Sequence, residues 1–388
     1  MELTILSFIF FLFSFFGYWL DRKILNPLFV MPLLWSMLLL LYAVIPHNLY
    51  PLQEQFLLSI LLWVSFFFLG GILFLRNKTI TISINLYNRK IFNLYFYIVI
   101  VAAPVVIFLL IEEAIKAGAI NFFLRLRIIN TGLEEGDTFS LGVWGYVFNF
   151  ANTVCLLFTY YYERISKWKY YIVLILAFLL GLITLARTSL VVLSLAIFVI
   201  LYFKGLLKRK HYWCFIGVFV AFMVLVTMLR SFHEEGGINA FDTISGYLLA
   251  GMPAFDTLTY YLEEQIGSYT FRFIYAVANV LGANYQLTHA ILPYTYTPVT
   301  TNVYTVMFPF YKDFGYIGVG FFSFIYGAIY TFIYRKGGKN AQFFVLLYAM
   351  FFPYILLQFM GEFIFTVFSS HLQSVIFLLI PYFLKFKR

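Results

Sequence analysis

YYIVLILAFLLGLITLARTSLVVLSLAIFVILYF, residues 170–203, carries a single charge, Arg187. At about 1.5 Å per residue, one helix of this length would far exceed a bilayer hydrocarbon core of roughly 30 Å. The run therefore reads as two membrane-crossing helices, 170–186 and 188–203, joined by a tight turn near Arg187. That reading decides the fold, because similar runs recur from one end of the chain to the other.

Composition agrees. The chain has 388 residues, 63% of them hydrophobic and 11% charged, with a mean hydropathy of +0.90. A soluble domain carries about 25% charged residues. The chain is expected to be an all-α polytopic membrane protein. Apolar windows predict about 11 transmembrane helices, at 2–20, 27–45, 56–75, 93–112, 142–160, 170–186, 188–203, 212–229, 315–334, 341–360 and 363–384. The N-terminal MELTILSFIF lacks the basic region of a cleaved signal peptide and reads as part of the first span.

Charge placement tests the span set. With the N-terminus outside and the C-terminus inside, 19 of the 26 Lys and Arg fall in the short segments 21–26, 76–92, 161–169, 204–211, 335–340 and 385–388. Of the 17 acidic residues, only Asp21 and Glu163 fall there. This is the positive-inside pattern. The net charge of +9 is thus mostly topology, and no nucleic-acid partner is expected. Seven basic residues run against the bias: Lys116, Arg125, Arg127, Arg187, Arg230, Arg272 and Lys312. The same side holds one long connection, residues 230–314, within what reads as a single membrane domain over 1–388. Its stretches FDTISGYLLAGM, PAFDTLTYYLEEQIG and FRFIYAVANVLGA are aromatic-rich and poor in charge, which predicts short helices on the outer face rather than disorder.

The two cysteines, Cys155 and Cys214, lie in apolar runs and imply neither a disulfide framework nor a metal site. No metal-ligand pair and no phosphate-cradling glycine loop is present, so chemistry without a metal or cofactor is expected. Candidate functional groups are the misplaced cations and the polar residues beside them. Arg187, flanked by Thr184, Thr188 and Ser189, reads either as a snorkelling cation at a turn or as a phosphate contact, since its planar fork binds phosphate oxygens bidentately. Arg272 is a lone cation among aromatics and needs an anionic partner. Arg230 reads as a helix-terminal cation beside His233, Glu234 and Glu235. Arg125 and Arg127 alternate with apolar residues, as on an amphipathic edge. Candidates to deprotonate a hydroxyl are Asp313, Glu263, Glu264, Asp256, Asp242 and His289. Adjacent Lys312 and Asp313 could equally neutralise one another.

The stretch TNVYTVMFPFYKDFGYIGVGFFSF, residues 301–324, resembles the C-terminal signature of Wzy-type O-antigen and capsule repeat-unit polymerases. The matching positions are Asn302, Val303, Tyr304, Thr305, Asp313, Phe314, Gly315 and Gly318. Arg187-Thr188-Ser189 resembles that family's arginine at the start of an outward-turned helix, with Ala186 where glycine is usual.

The resemblance implies a membrane glycosyltransferase of GT-C-like architecture in the bacterial cytoplasmic (inner) membrane. Its substrate would be an undecaprenyl-diphosphate-linked oligosaccharide, and a chain-length regulator in the same membrane would be its partner. A hydroxyl of the incoming repeat unit would attack the anomeric carbon of the growing chain, and undecaprenyl diphosphate would leave. On that implication Arg187 and Arg272, with Arg230, meet the diphosphate; Arg125, Arg127, Lys312 and Asn302 contribute to substrate binding. Asp313, Glu263 or His289 handles the hydroxyl, and Tyr294, Tyr296 and Tyr304 stack on sugars. The competing readings are a lipid-linked oligosaccharide flippase, against which the absence of internal repeats counts, and an O-antigen ligase, which would share the architecture. A purely structural membrane protein explains neither the long connection nor the outer cations.

Overall fold

A computed structural model describes residues 2–75, 85–116, 122, 125–126, 139, 141–184, 187–207, 246, 248–260, 265–289, 292–339 and 341–384, with Arg187 described through its backbone. The described chain is predominantly helical. The helices are α1 (Glu2–Asp21), α2 (Pro27–Val44), α3 (Glu54–Leu75), α4 (Arg89–Lys116), α5 (Tyr146–Tyr160), α6 (Lys167–Ile183), α7 (Arg187–Phe203), α8 (Gly251–Asp256), α9 (Arg272–Val280), α10 (Phe308–Gly337), α11 (Gln342–Leu356) and α12 (Phe368–Phe383). Strands β1 (Thr295–Thr297) and β2 (Val299–Thr301) form a small antiparallel hairpin, the one departure from an all-α chain among the described residues. Among the described residues five helices, α1 to α4 and α10, are long and apolar enough to cross a membrane. The expected span at 212–229 lies outside the described residues.

The chain divides into two compact units. The first comprises Met1–Ile80, Gly236–Lys336 and Tyr354–Ser369; the second comprises Thr81–Glu235, Gly337–Pro353 and Ser370–Arg388.

In the first unit, small residues let helix backbones touch. At Gly17 of α1, a Cβ would overlap the Leu28 carbonyl of α2; on α3 and α10, Cβ atoms at Gly70 and Gly327 would overlap the carbonyls of Phe324 and Phe67. Close approach of this kind drives helix association where both solvent and side chains are apolar. Hydroxyls add to it: Ser7 Oγ donates to the Ser36 carbonyl and Ser36 Oγ to the Ser7 carbonyl, both at 2.8 Å. Asn26 caps α2, its Oδ1 accepting from Leu28 N at 3.1 Å, while its Nδ2 reaches the Gly17 carbonyl.

The decisive feature of this unit is the break in α10 at Gly315, where φ is 60° and ψ −150°. Only glycine occupies that region without strain. Phe310 and Phe322 stack with centroids 4.5 Å apart, although twelve residues of straight helix would separate them by about 18 Å. Residues 308–314 therefore double back on the helix that follows, and Phe310 also stacks on Trp63 of α3 at 5.7 Å. The break falls where the span was expected to begin, at 315; the expectation that 301–314 is the end of a loop is corrected for 308–314, which is helical. The helix starts at Phe308, and Lys312 and Asp313 sit on its folded-back turn.

In the second unit, the 170–203 run divides as its length requires. Helix α6 ends at Ile183, where Thr184 Oγ1 donates to the Gly181 carbonyl at 3.0 Å, and α7 begins at Arg187. A Cβ at Gly181 would lie 2.7 Å from Leu190, so the two helices meet directly after the turn. Phe92 of α4 stacks on Phe158 of α5 at 5.5 Å, and Asn149 Nδ2 donates to Gln373 Oε1 at 3.1 Å.

Two further boundaries differ from expectation. The pattern PAFDTLTYYLEEQIG suggested a helix reaching the glutamates, but α8 stops at Asp256, with Thr257 Oγ1 donating to the Ala254 carbonyl at 2.7 Å. The last two spans were expected at 341–360 and 363–384, yet α11 ends at Leu356 and α12 starts at Phe368. Glu362 between them gathers backbone N–H groups into a turn.

Candidate functional site

The polar cluster of the first unit is built where the connection after α8 meets the folded-back turn of α10. Asp313 Oδ1 accepts from Tyr269 N at 3.3 Å and Oδ2 from Thr270 N at 2.6 Å. These bonds hold the turn 265–271, in which Gly267 takes φ +75° and Phe271 N donates to the Gly267 carbonyl at 2.8 Å. The next residue is Arg272, the first of α9. Its Nε donates to the Thr288 carbonyl at 2.8 Å, and Thr288 Oγ1 returns to the Ser268 carbonyl at 3.2 Å. His289, the next residue along, is exposed.

Arg272 is half-buried, and among the described residues no carboxylate pairs with it. Asp313 thus organises the arginine's surroundings through backbone amides rather than by neutralising it. The guanidinium is fixed at Nε, and an arginine's planar terminal fork suits an anion with two oxygens. The sequence required an anionic partner for Arg272, and the described protein does not supply one.

Lys312 and Asp313 do different work. Lys312 is buried and its Nζ donates to the Thr259 carbonyl at 3.1 Å, so the pair fastens the connection at two separate points. Tyr304 is also buried: its ring lies 4.9 Å from Phe308 and its hydroxyl donates to the Pro293 carbonyl at 3.1 Å. The sugar stacking expected at this position gains no support from a ring packed in this way. Tyr294 and Tyr296, in contrast, are 56% and 61% exposed, and the Tyr304–Pro293 bond steadies the backbone beside the first of them. Asn302 is half-buried next to the hairpin.

Asp256 closes the other side of this region. Its carboxylate accepts from Gln53 N and Phe56 N, both at 2.8 Å, at the start of α3. Burial pushes its pKa up to about 6, opposed by those two backbone bonds.

In the second unit, Arg125 Nη2 pairs with Glu113 Oε1 at 2.8 Å, and Glu113 also meets Lys116 at 3.2 Å. An arginine satisfied in this way serves packing, so the expected substrate contact at Arg125 gains no support from its surroundings. Arg187 opens α7. Arg127, Arg230 and Glu263 lie outside the described residues.

Sequence reasoning missed two interior groups. Gln358 Oε1 accepts both indole N–H groups of Trp35 and Trp63 at 3.0 Å, and its carbonyl accepts from Val306 N at 2.8 Å. It thereby ties the stretch after Asn302 to α2 and α3. Glu362 accepts from Ile364 N at 2.6 Å, Phe365 N at 3.0 Å and Thr366 N at 2.8 Å, and from the Tyr326 hydroxyl. The signal was present, since a Gln and a Glu inside an apolar run are costly unless bonded. Among the described residues no three His, Cys, Asp or Glu side chains gather as metal ligands would.

Apolar spans joined by close glycine contacts, with a buried polar cluster in the longest connection, define a polytopic helical membrane protein. Residues 23–359 match the profile of the family described as "Putative O-antigen polymerase", and the chain belongs to that family. Searches of curated proteins and of solved structures each found no match.

Proposed function

We propose that the protein polymerises lipid-linked oligosaccharide repeat units, with the region around Arg272 receiving the diphosphate of the donor. A hydroxyl oxygen of the incoming repeat unit attacks the anomeric carbon of the growing chain. The bond from that carbon to the diphosphate oxygen breaks, and the polyprenyl diphosphate leaves with the electron pair. The hydroxyl proton passes to a base, for which exposed His289 is our candidate, and Glu263 is the alternative. Charge develops on the leaving diphosphate, and a fixed cation at that place lowers the barrier. Tyr294 and Tyr296 offer exposed rings to sugar faces, and Asp313 acts as a positioning residue. Arg187 is a second candidate cation, tested separately by the same assay.

One observation carries this reading: Arg272 is held at Nε by the Thr288 carbonyl, half-buried and without a carboxylate partner among the described residues. A polymerase acting in the cytoplasmic membrane, with the connection 230–314 on the outer side and a chain-length regulator as partner, fits the family and the charge pattern. The test is Arg272→Ala and Arg272→Lys in cells lacking the native copy, followed by the glycan ladder on a gel. We expect single repeat units to accumulate with Arg272→Ala and only partial rescue by lysine, which lacks the planar fork. Full-length polymer from Arg272→Ala sinks the assignment. Polymer retained on the polyprenyl carrier would point to a ligase instead.

A further inference from the structure

Helix α9 is inside out for a helix in water. Its polar side chains all turn toward the protein: Arg272 Nε donates to the Thr288 carbonyl at 2.8 Å, Tyr275 Oη to the Ile266 carbonyl at 2.6 Å, and Asn279 exchanges bonds with Tyr285 N and O at 2.7 and 2.8 Å. Apart from Phe273, which packs on Phe368, its large apolar side chains point away. Ile274 is 59% exposed, Val277 42%, Val280 86% and Leu281, directly after the helix, 82%. Positions 274, 277 and 281 recur at helical spacing, so they share one face.

We propose that this face docks on the acyl surface of the membrane, and that α9 lies along the leaflet as an interfacial helix. The occupant follows from continuity with a membrane-crossing helix. Phe271, just before α9, sits 6.1 Å from Phe314 and 6.0 Å from Phe322 of α10, and 6.4 Å from Phe365; Phe273 sits 5.2 Å from Phe368. Helix α9 is thereby fastened beside the Gly315 break. Just past that break, Ile317 and Phe321 of α10 are 84% and 58% exposed, so the lipid-facing surface of a crossing helix begins where α9 is attached. A helix with one wholly apolar face and a polar face bonded elsewhere settles at the boundary between headgroups and chains. Arg272, its first residue, is then carried at the depth of lipid phosphates, where the donor diphosphate of the reading above would sit. The docking itself does not depend on that reading.

The test uses the full chain with Cys155→Ala and Cys214→Ala, reconstituted in phosphatidylethanolamine–phosphatidylglycerol vesicles. Spin labels are placed at Ile274→Cys and Val280→Cys, with Phe15→Cys on α1 as the lipid reference and Tyr294→Cys as the water reference. Collision with molecular oxygen and with a water-soluble nickel chelate is then measured. We expect both α9 labels to match the lipid reference, with oxygen contact severalfold above nickel contact. Nickel contact equal to that of the Tyr294→Cys label overturns the proposal, as does protection from both reagents with label–label broadening, which would mean a second copy covers the face. A photocrosslinking residue at Val280 in the chain with native cysteines provides the second measurement. Lipid adducts support the docking; adducts only to protein refute it.

Discussion

Replacing Asp313 with asparagine separates a positioning carboxylate from one that handles protons. Asp313 is 8% exposed and gives one oxygen to Tyr269 N and the other to Thr270 N. Asparagine keeps one acceptor and turns an NH2 group toward the second backbone N–H, so one charge-assisted bond is lost. Such a bond is worth about 1.5–3 kcal/mol. If that energy holds the turn that launches Arg272, and Arg272 acts only in the transition state, the loss appears as roughly a 10- to 150-fold fall in rate. The measurement is the polymerisation rate of Asp313→Asn, Arg272→Lys and the double variant, made with purified protein and lipid-linked repeat units, beside the thermal midpoint of each. A carboxylate acting through Arg272 costs much less in the Arg272→Lys background than in the wild type, because the positioned fork is already gone. Full additivity of the two losses, with unchanged thermal midpoints, would falsify the positioning role and make Asp313 an independent catalytic group.

Two other perturbations probe the frame of the site. Gly315→Ala forces an L side chain into φ 60°, ψ −150°, at about 1–3 kcal/mol of backbone strain; we expect a lower thermal midpoint and weaker polymerisation, and a midpoint equal to wild type contradicts the doubled-back turn. Asp256 has its pKa raised by burial to about 6 from an ordinary 3.8, so the folded state holds a proton that the unfolded chain releases between those values. The stabilising increment is present at low pH and is lost as pH rises through 6. Asp256→Asn should flatten the fall in thermal midpoint between about pH 4 and pH 6, the interval between the two pKa values, and an unchanged slope counts against this carboxylate as its source.

Several parts of the molecule are legible from local pattern. The helices at 2–21, 27–44, 54–75 and 187–203 stand where the apolar windows put them, because length and hydropathy are properties of consecutive residues. The break near Arg187 follows from the same arithmetic. Arg272 stood out as a cation without a local partner, and it has no carboxylate partner among the described residues. What pattern could not supply is pairing across the chain. Asp313 looked like a neighbour for Lys312, yet its bonds go to residues 43 and 44 positions away, while Lys312 reaches 53 positions back. Tyr304 looked like a sugar platform, and only the packing of Phe308 and the carbonyl of Pro293 reveal that it is interior. Gln358 was absorbed into an apolar window, because averaging hydropathy hides a single polar residue, and Glu362 fell in the gap between two windows with its bonding partners unread.

By itself, then, the sequence determined that the chain is a helical membrane protein of this family, where its apolar helices fall, and which cations defy the charge bias. Burial of about 20 consecutive apolar residues is a one-dimensional condition, so one dimension suffices to read it. Tertiary structure decided that α10 folds back at Gly315, that Asp313 holds the turn before Arg272, and that α9 presents its apolar face outward. Each of these depends on which distant backbone groups must be satisfied once water is removed, and that condition is met only in three dimensions.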